Sequence, residues 1–275
     1  MPAPRIRIFS DLHFGDSRST LTQLDALAPL LADTDEFVLN GDSLDTIVPG
    51  HAPRLAELRA FFAATARPVV FLSGNHDPDI SAQTELTLAD DRVWITHGDV
   101  LFDHVAPWSH HAPEFARLLA DAPPAKADTL ADRLRRHRRA CVALMSAPAF
   151  ESHPPGPPAL RLLRTLFPPR RLLAMLRAWR RTPCLAATLA DRHRPRARVA
   201  IFGHTHFPGV WTSPAAPDLR VINTGAFARP FGGAFVELQG QRVQVRRIVR
   251  RSGSFYPGRI LADFTLPPPS SPAPL

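Results

Sequence analysis

Cysteine is almost missing from the chain: Cys141 and Cys184 are the only two in 275 residues. That is too few for a disulfide framework, and their separation lacks the paired spacing of a thiolate metal site. Two reduced structural thiols in a cytoplasmic protein are expected. No stretch of 18 uncharged apolar residues occurs, which excludes a membrane-spanning helix on length grounds. The opening MPAPRIRIFSDLH has neither the apolar run nor the small-residue cleavage site of a signal peptide. Lysine is reduced to Lys126, so the net charge of +8 rests on arginine. Hydrophobic residues at 45% against 21% charged allow a packed core and exclude global disorder. The length suits one large domain with a sizeable insertion. Charge is unevenly spread: residues 103–198 hold 18 Lys+Arg against 7 Asp+Glu, net +11, and the remainder is net −3.

What the chain does contain is a repeated unit, a short apolar strand followed by a polar loop. Arg5 to Ser10 runs into Asp11. Glu36 to Leu39 ends at Asn40-Gly41-Asp42. Pro68 to Leu72 ends at Ser73-Gly74-Asn75-His76-Asp77. Val93 to Thr96 ends at His97-Gly98-Asp99, and Val199 to Phe202 ends at Gly203-His204-Thr205-His206. Further strands are expected at Leu219 to Ile222, 233–238 and 241–249, and helices at Leu21 to Ala32 and Arg54 to Ala66. In α/β architectures sites collect at the carboxyl ends of strands, so the five loops would converge on one edge. Core packing explains the strands but not the polar residue types that follow each one.

Asp11, His13, Asp42, Asn75, His97, His204 and His206 are oxygen or imidazole donors. A set without thiolate suits Mn²⁺, Fe, Mg²⁺ or Zn²⁺ rather than a soft metal. Seven donors exceed one tetrahedral zinc and fit two octahedral ions if one carboxylate is shared. Two such cations clamp a phosphoryl group and activate water.

Asp11-Leu12-His13, Gly41-Asp42-Ser43-Leu44-Asp45, Gly74-Asn75-His76-Asp77, His97-Gly98 and Gly203-His204-Thr205-His206 resemble the five signature blocks of the calcineurin-like metallophosphoesterase superfamily, in its order. Each block alone is a weak signal; the specificity lies in five in sequence, each after a strand. The resemblance spans residues 11–206 and continues into the final strands. It implies an α/β fold, the metallophosphoesterase-type four-layer α-β-β-α sandwich of two mixed sheets, with a helical cap insertion. The domain would occupy 1–266, with 103–198 as the basic cap and 267–275 as a disordered Pro-rich tail. It further implies that Asp11, His13 and His206 hold one cation, that Asn75, His97 and His204 hold the other, and that Asp42 bridges them. The cations would be divalent, Mn²⁺ first, with Fe, Zn²⁺ or Mg²⁺ as alternatives. His76 would stay off the metals and serve the leaving group as a catalytic proton donor, with Asp45 orienting it and raising its pKa. Asp45 and Asp77 each have a plainer reading, satisfying loop N–H groups; Asp45 is assigned the orienting role and Asp77 the structural one. Asp99 reads as a brace for the loop after His97.

Departures narrow the branch. Thr46 stands where the protein Ser/Thr phosphatases carry Arg, and Asn223-Thr224-Gly225-Ala226 has Ala in place of the usual Ser. Within the insertion, Pro169 to Arg181 reads as a helix with Leu172, Met175, Leu176 and Trp179 on one stripe and Arg170, Arg177 and Arg181 opposite. Packing of that stripe on the core is the plainer expectation, and contact with an anionic membrane surface is the other. The helical insertion is similar to that of the UDP-2,3-diacylglucosamine pyrophosphatases, although His76 stands where that family carries Arg. The expected function is hydrolysis of a phosphoester or pyrophosphate bond in a small-molecule, nucleotide or lipid-linked substrate. The expected location is cytoplasmic, peripheral at the inner face of the membrane. The alternatives are an Mre11-like nuclease, for which the basic insertion speaks although nucleic acid is not the expected partner, and a non-catalytic metal-binding interaction module.

Overall fold

A computed structural model of the chain describes residues 3–46, 50–109, 111–122, 129–146 and 169–268. His110 and His153, outside the donor blocks, lie outside the described residues. The described strands are β1 (Arg5–Phe9), β2 (Glu36–Asn40), β3 (Val69–Leu72), β4 (Glu85–Leu88), β5 (Val93–Thr96), β6 (Val199–Phe202), β7 (Gly209–Ser213), β8 (Ala216–Asn223), β9 (Ala234–Gln239), β10 (Arg242–Arg251) and β11 (Ser254–Thr265). The helices are α1 (Ala28–Leu31), α2 (Ala52–Ala64), α3 (Ala112–Asp121), α4 (Leu130–Met145) and α5 (Pro169–His193).

Two sheets form. One has the order β11-β10-β9-β1-β2-β3, the other β4-β5-β6-β8-β7. β1, β2 and β3 run parallel in the first, and β5, β6 and β8 run parallel in the second. Side chains alternate across each strand, and this sorts the apolar residues into three layers. Ile8, Val38, Leu72, Val93, Ile95, Val199, Ile201 and Val236 meet between the sheets. Phe9, Phe37, Leu39, Leu58 and Phe62 fill the outer face of the first sheet against α2 and the turn before α1. Trp94, Ala200, Phe202 and Val221 cover the outer face of the second against Leu134 of α4 and Ala186, Ala187 and Ala190 of α5. Trp94 and Phe202 meet edge to face at 5.4 Å, an arrangement worth about 1 kcal/mol beyond burial. The result is a helix–sheet–sheet–helix sandwich, with α4 and α5 of the segment 103–198 forming its second outer layer.

Several expectations need correction. The helix expected at Leu21 to Ala32 is a 3₁₀ turn, Leu24–Leu27, followed by the single turn of α1. Pro29 supplies no N–H to continue a longer helix. Strands β4, β7 and β11 were not expected from the sequence, and all three are edges. Of the tail expected to be disordered, 269–275 lie outside the described residues, while the Pro267 carbonyl accepts a hydrogen bond from Arg92. In α5 the buried face is Ala178, Thr182, Ala186, Ala187, Leu189 and Ala190. Leu176 of the expected core stripe is exposed, and Leu172, Met175 and Trp179 are half-buried. No described helix is long and apolar enough to cross a membrane. Neither cysteine is paired: Cys141 is buried in α4 and Cys184 is exposed.

Candidate metal centre

Five strand ends meet at one edge of the sandwich, three from the first sheet and two from the second. Their loops are zipped by main-chain bonds, Asp11 N–H to Gly41 C=O at 3.0 Å, His13 N–H to Asp42 C=O at 3.0 Å and Gly203 N–H to His97 C=O at 2.8 Å. Asn40 ties the sheets together, donating from Nδ2 to the Thr96 carbonyl at 3.0 Å. Asp11, His13, Asp42, His204 and His206 all have left-handed φ, between 45° and 63°. Non-glycine residues enter that region at about 1–2 kcal/mol each, and such strain persists where surrounding structure enforces it, typically at functional sites. Five of the twelve non-glycine residues with left-handed φ among the described residues are donors of this edge, in three loops.

The donors fall into two groups. In the first, His206 Nε2 lies 3.0 Å from Asp11 Oδ1 and 3.2 Å from His13 Nε2. In the second, His97 Nε2 lies 3.2 Å from Asp42 Oδ2 and 3.1 Å from Asn75 Oδ1, and His204 Nδ1 lies 2.8 Å from the same Asn75 oxygen. Asp42 Oδ2 stands between the groups, 3.9 Å from His13 Nε2. The far nitrogens of two rings are spent on carbonyls: His97 Nδ1–H donates to Asn40 at 3.0 Å and His204 Nε2–H to Val105 at 2.6 Å. In the neutral rings that fixes each tautomer and turns a lone pair toward Asn75 Oδ1, itself an acceptor. Acceptors facing one another at this distance call for a cation between them. The spacings match the edge of an octahedron, about 3 Å for metal–ligand bonds near 2.1 Å, and the outer carbonyl partners are those that metal-binding imidazoles use. The residues present therefore fit divalent cations.

The electrostatics agree. Burial pushes the Asp11 and Asp42 carboxyls up, but the imidazoles around them outweigh it and hold both below the usual carboxylate range. Burial pushes His97 down, yet the charge of Asp42 raises it to about 10. Burial, with His97 nearby, lowers His204 to about 4. This cluster of carboxylates demands positive charge, which a proton on His97 or a cation supplies.

His76 follows Asn75 and sits at the open side, its ring edge on His13 at 5.2 Å between centroids. Its N–H donates to Asp42 Oδ1 at 2.8 Å, and its Nδ1 lies 3.4 Å from Asp45 Oδ2. Burial lowers its pKa, but the charge of Asp42 and the contact with Asp45 outweigh that and raise it to about 9. Asp77 is entirely buried and accepts three backbone N–H groups, from Gly74 at 2.7 Å, Asp42 at 2.8 Å and Ser43 at 2.7 Å.

The loop Asn223-Thr224-Gly225-Ala226 singled out in the sequence supports the centre, and sequence reasoning missed further supports. Ser10 and Thr224 share a hydrogen bond, and the Ser10 hydroxyl donates to Asp11. Asn223 donates to Gly203 C=O and to Thr205 Oγ1. Trp179 of α5 donates from Nε1 to the Thr205 carbonyl at 3.0 Å. Arg138 of α4 is buried against Asp99. A small polar residue beside a donor block could have pointed to Ser10; no local pattern points to Arg138.

The glycines of these loops serve close approach. A Cβ on Gly203 would collide with the Asp11 carboxylate and the Ser10 hydroxyl. Overpacking of this kind costs about 1–3 kcal/mol, so Gly203→Ala is expected to lower the melting temperature by ~2–10 °C and to weaken cation binding. An unchanged melting temperature and metal affinity would show that Asp11 is not pressed against this backbone.

A two-sheet sandwich that gathers carboxylate, amide and imidazole donors at its strand ends is a divalent-metal protein of metallophosphoesterase type. The chain belongs to the calcineurin-like phosphoesterase family, whose model matches residues 4–208. No curated protein matches the sequence. Similar solved structures include a dimetal phosphatase from Danio rerio (15% identity, TM-score 0.46, covering 97% of this chain and 99% of that one). Vps29 from Chaetomium thermophilum is another (10% identity, TM-score 0.48, 96% and 100% covered). A third is a conserved uncharacterized protein of Streptococcus pneumoniae TIGR4, described as a predicted phosphoesterase (16% identity, TM-score 0.41, 96% and 99% covered).

Proposed function

We propose that the protein is a hydrolase of a phosphoester or pyrophosphate bond that works with two divalent cations, Mn²⁺ foremost. The observation that carries this reading is the pair of donor groups on either side of Asp42 Oδ2, with His76 poised next to them. Asp11, His13 and His206 would hold one cation, Asn75, His97 and His204 the other, and Asp42 both. When bound, such cations polarise phosphoryl oxygens and make water nucleophilic at neutral pH. The chain's own part is positioning and proton transfer. Asp45 keeps the His76 ring oriented and favours its protonated form. As water attacks and the P–O bond to the leaving group breaks, His76 gives its proton to the departing oxygen and later regains one from solvent. Asp42 accepts the His76 N–H and so fixes the proton donor relative to the cation site.

For the substrate, we favour a molecule with an apolar or aromatic part, a lipid-linked pyrophosphate such as UDP-2,3-diacylglucosamine or a nucleotide. Supporting this, Trp179 stacks on Phe207 at 4.5 Å beside His206, Phe231 joins at 5.3 Å, and Leu176 is exposed one turn along α5. Residues 103–198 would then select the substrate within a domain spanning 1–266, working in the cytoplasm at the inner face of the membrane. The test is hydrolysis of bis(p-nitrophenyl) phosphate by metal-stripped protein resupplied with Mn²⁺, alongside UMP release from UDP-2,3-diacylglucosamine. Metal-dependent turnover of either supports the hydrolase reading. Two bound equivalents of Mn²⁺ without turnover of either would instead favour a binding module.

A further inference from the structure

We infer that Arg138 is a positioning residue for the second donor group, clamping together the two loops that carry Asn75 and His97; the inference rests on the two-cation reading. Arg138 lies on α4, within the basic insertion, yet its side chain is buried under the floor of the centre. Nη1 donates to Asp99 Oδ2 at 2.6 Å, and Nη2 to Asp99 Oδ1 at 3.2 Å and to the Ser73 carbonyl at 2.6 Å. Nε donates to the Ser73 hydroxyl at 2.8 Å. Ser73 and Asp99 are both fully buried. Ser73 stands two residues before Asn75, at the end of β3 in the first sheet. Asp99 stands two residues after His97, at the start of the 3₁₀ turn that follows β5 of the second. One planar guanidinium thus bridges the two sheets beside the pair Asn75 Oδ1 and His97 Nε2, 3.1 Å apart.

The chemistry explains why this position needs arginine. Its rigid fork addresses a carboxylate and a carbonyl at fixed angles, which the single ammonium of lysine does not. Its charge neutralises Asp99, so the carboxylate that faces the second group remains Asp42. The third donor of that group, His204, also leans on the insertion, through the Val105 carbonyl. The first group is braced differently, with Ser10 and Thr224 behind Asp11. The second cation should therefore depend on Arg138 and the first should not.

The experiment is Mn²⁺ titration of metal-stripped protein by calorimetry, with the exchange-coupled Mn²⁺ pair followed by electron paramagnetic resonance. Wild type, Arg138→Met, Arg138→Lys and Asp99→Asn are compared, with Asn75→Ala as the reference for a damaged second site and thermal unfolding as the folding control. Wild type should bind two equivalents. Arg138→Met should weaken one equivalent about 10–100-fold, the scale of an outer partner of a metal ligand, and lose the coupled signal as Asn75→Ala does. The other equivalent should stay within about threefold, and Arg138→Lys should fall between. If Arg138→Met does not fold, Arg138→Lys and Asp99→Asn must show the same split. Equal weakening of both equivalents, or no weakening in a folded variant, overturns the inference while leaving the two-cation reading intact. Fewer than two equivalents in wild type overturns that reading and the inference with it.

Discussion

Asp42→Asn should lose metal-dependent turnover by at least about 10³-fold, well beyond the 10–100-fold expected when only an outer partner of a ligand is removed. Asparagine keeps the shape of aspartate and one acceptor oxygen, so the His76 N–H that now bonds Asp42 Oδ1 at 2.8 Å retains its partner. The group in the place of Oδ2 becomes an NH₂, which has no lone pair for a cation. It would face His97 Nε2, now 3.2 Å away, and His13 Nε2, 3.9 Å away. The charge matters as much as the lone pair. Two dications a few ångströms apart repel strongly at low dielectric, and Asp42 is the carboxylate between the two donor groups. Without it His97 loses the main influence that raises it to about 10, and the second group becomes three neutral donors. The expected result is therefore a folded protein that retains at most one equivalent of Mn²⁺ by mass spectrometry and does not hydrolyse bis(p-nitrophenyl) phosphate. Turnover within tenfold of wild type, with two equivalents bound, would remove Asp42 from the centre.

The donor loops were legible in the sequence because each obeys a local rule. A short run of alternating or continuous apolar residues ends abruptly at Gly, Asp, Asn or His, and the fold then aligns those ends through parallel pairing of β1, β2 and β3 and of β5 and β6. The strands that escaped detection, β4, β7 and β11, are three of the four sheet edges. β11 carries Pro257 and Gly258 within it, and its pairing with β10 is interrupted by register shifts; such residues are tolerated at an edge and erase the strand signal. β4, Glu-Leu-Thr-Leu, is as long as β3, β5 and β6 but has only two apolar residues, separated by Thr87, where those strands carry three or four, and it is half-buried throughout. The helix at Leu21 to Ala32 failed for the opposite reason: its apolar spacing serves burial of Leu24, Leu27, Leu30 and Leu31, and two short turns around Pro29 achieve that without one helix. Arg138 was out of reach because its partners Ser73 and Asp99 lie 65 and 39 residues away, and one arginine among the many of a basic insertion carries no mark of burial.

His76→Gln should lower kcat about 10²–10⁴-fold, the usual contribution of a positioned general acid, with KM and Mn²⁺ stoichiometry little changed because His76 is not among the facing donors. The loss should depend on the leaving group. p-Nitrophenolate departs with little help, so bis(p-nitrophenyl) phosphate should lie at the mild end, while an alkyl or sugar phosphodiester, whose oxygen must be protonated, should lie at the severe end. The pH profile gives the sign. His76 is raised to about 9, against burial, by the charge of Asp42 and the contact with Asp45. Bound cations would pull it back toward the unperturbed value of about 6.5. Since the protonated ring is the active form, kcat/KM should hold at lower pH and fall as pH rises through a value between these limits. Asp45→Asn removes one of the groups that keep the proton on and should move that alkaline limb to lower pH; His76→Gln should abolish it. A limb that survives unchanged in His76→Gln would assign the proton to another group, and an equal loss for the activated and the alkyl diester would make His76 a binder of phosphate rather than an acid.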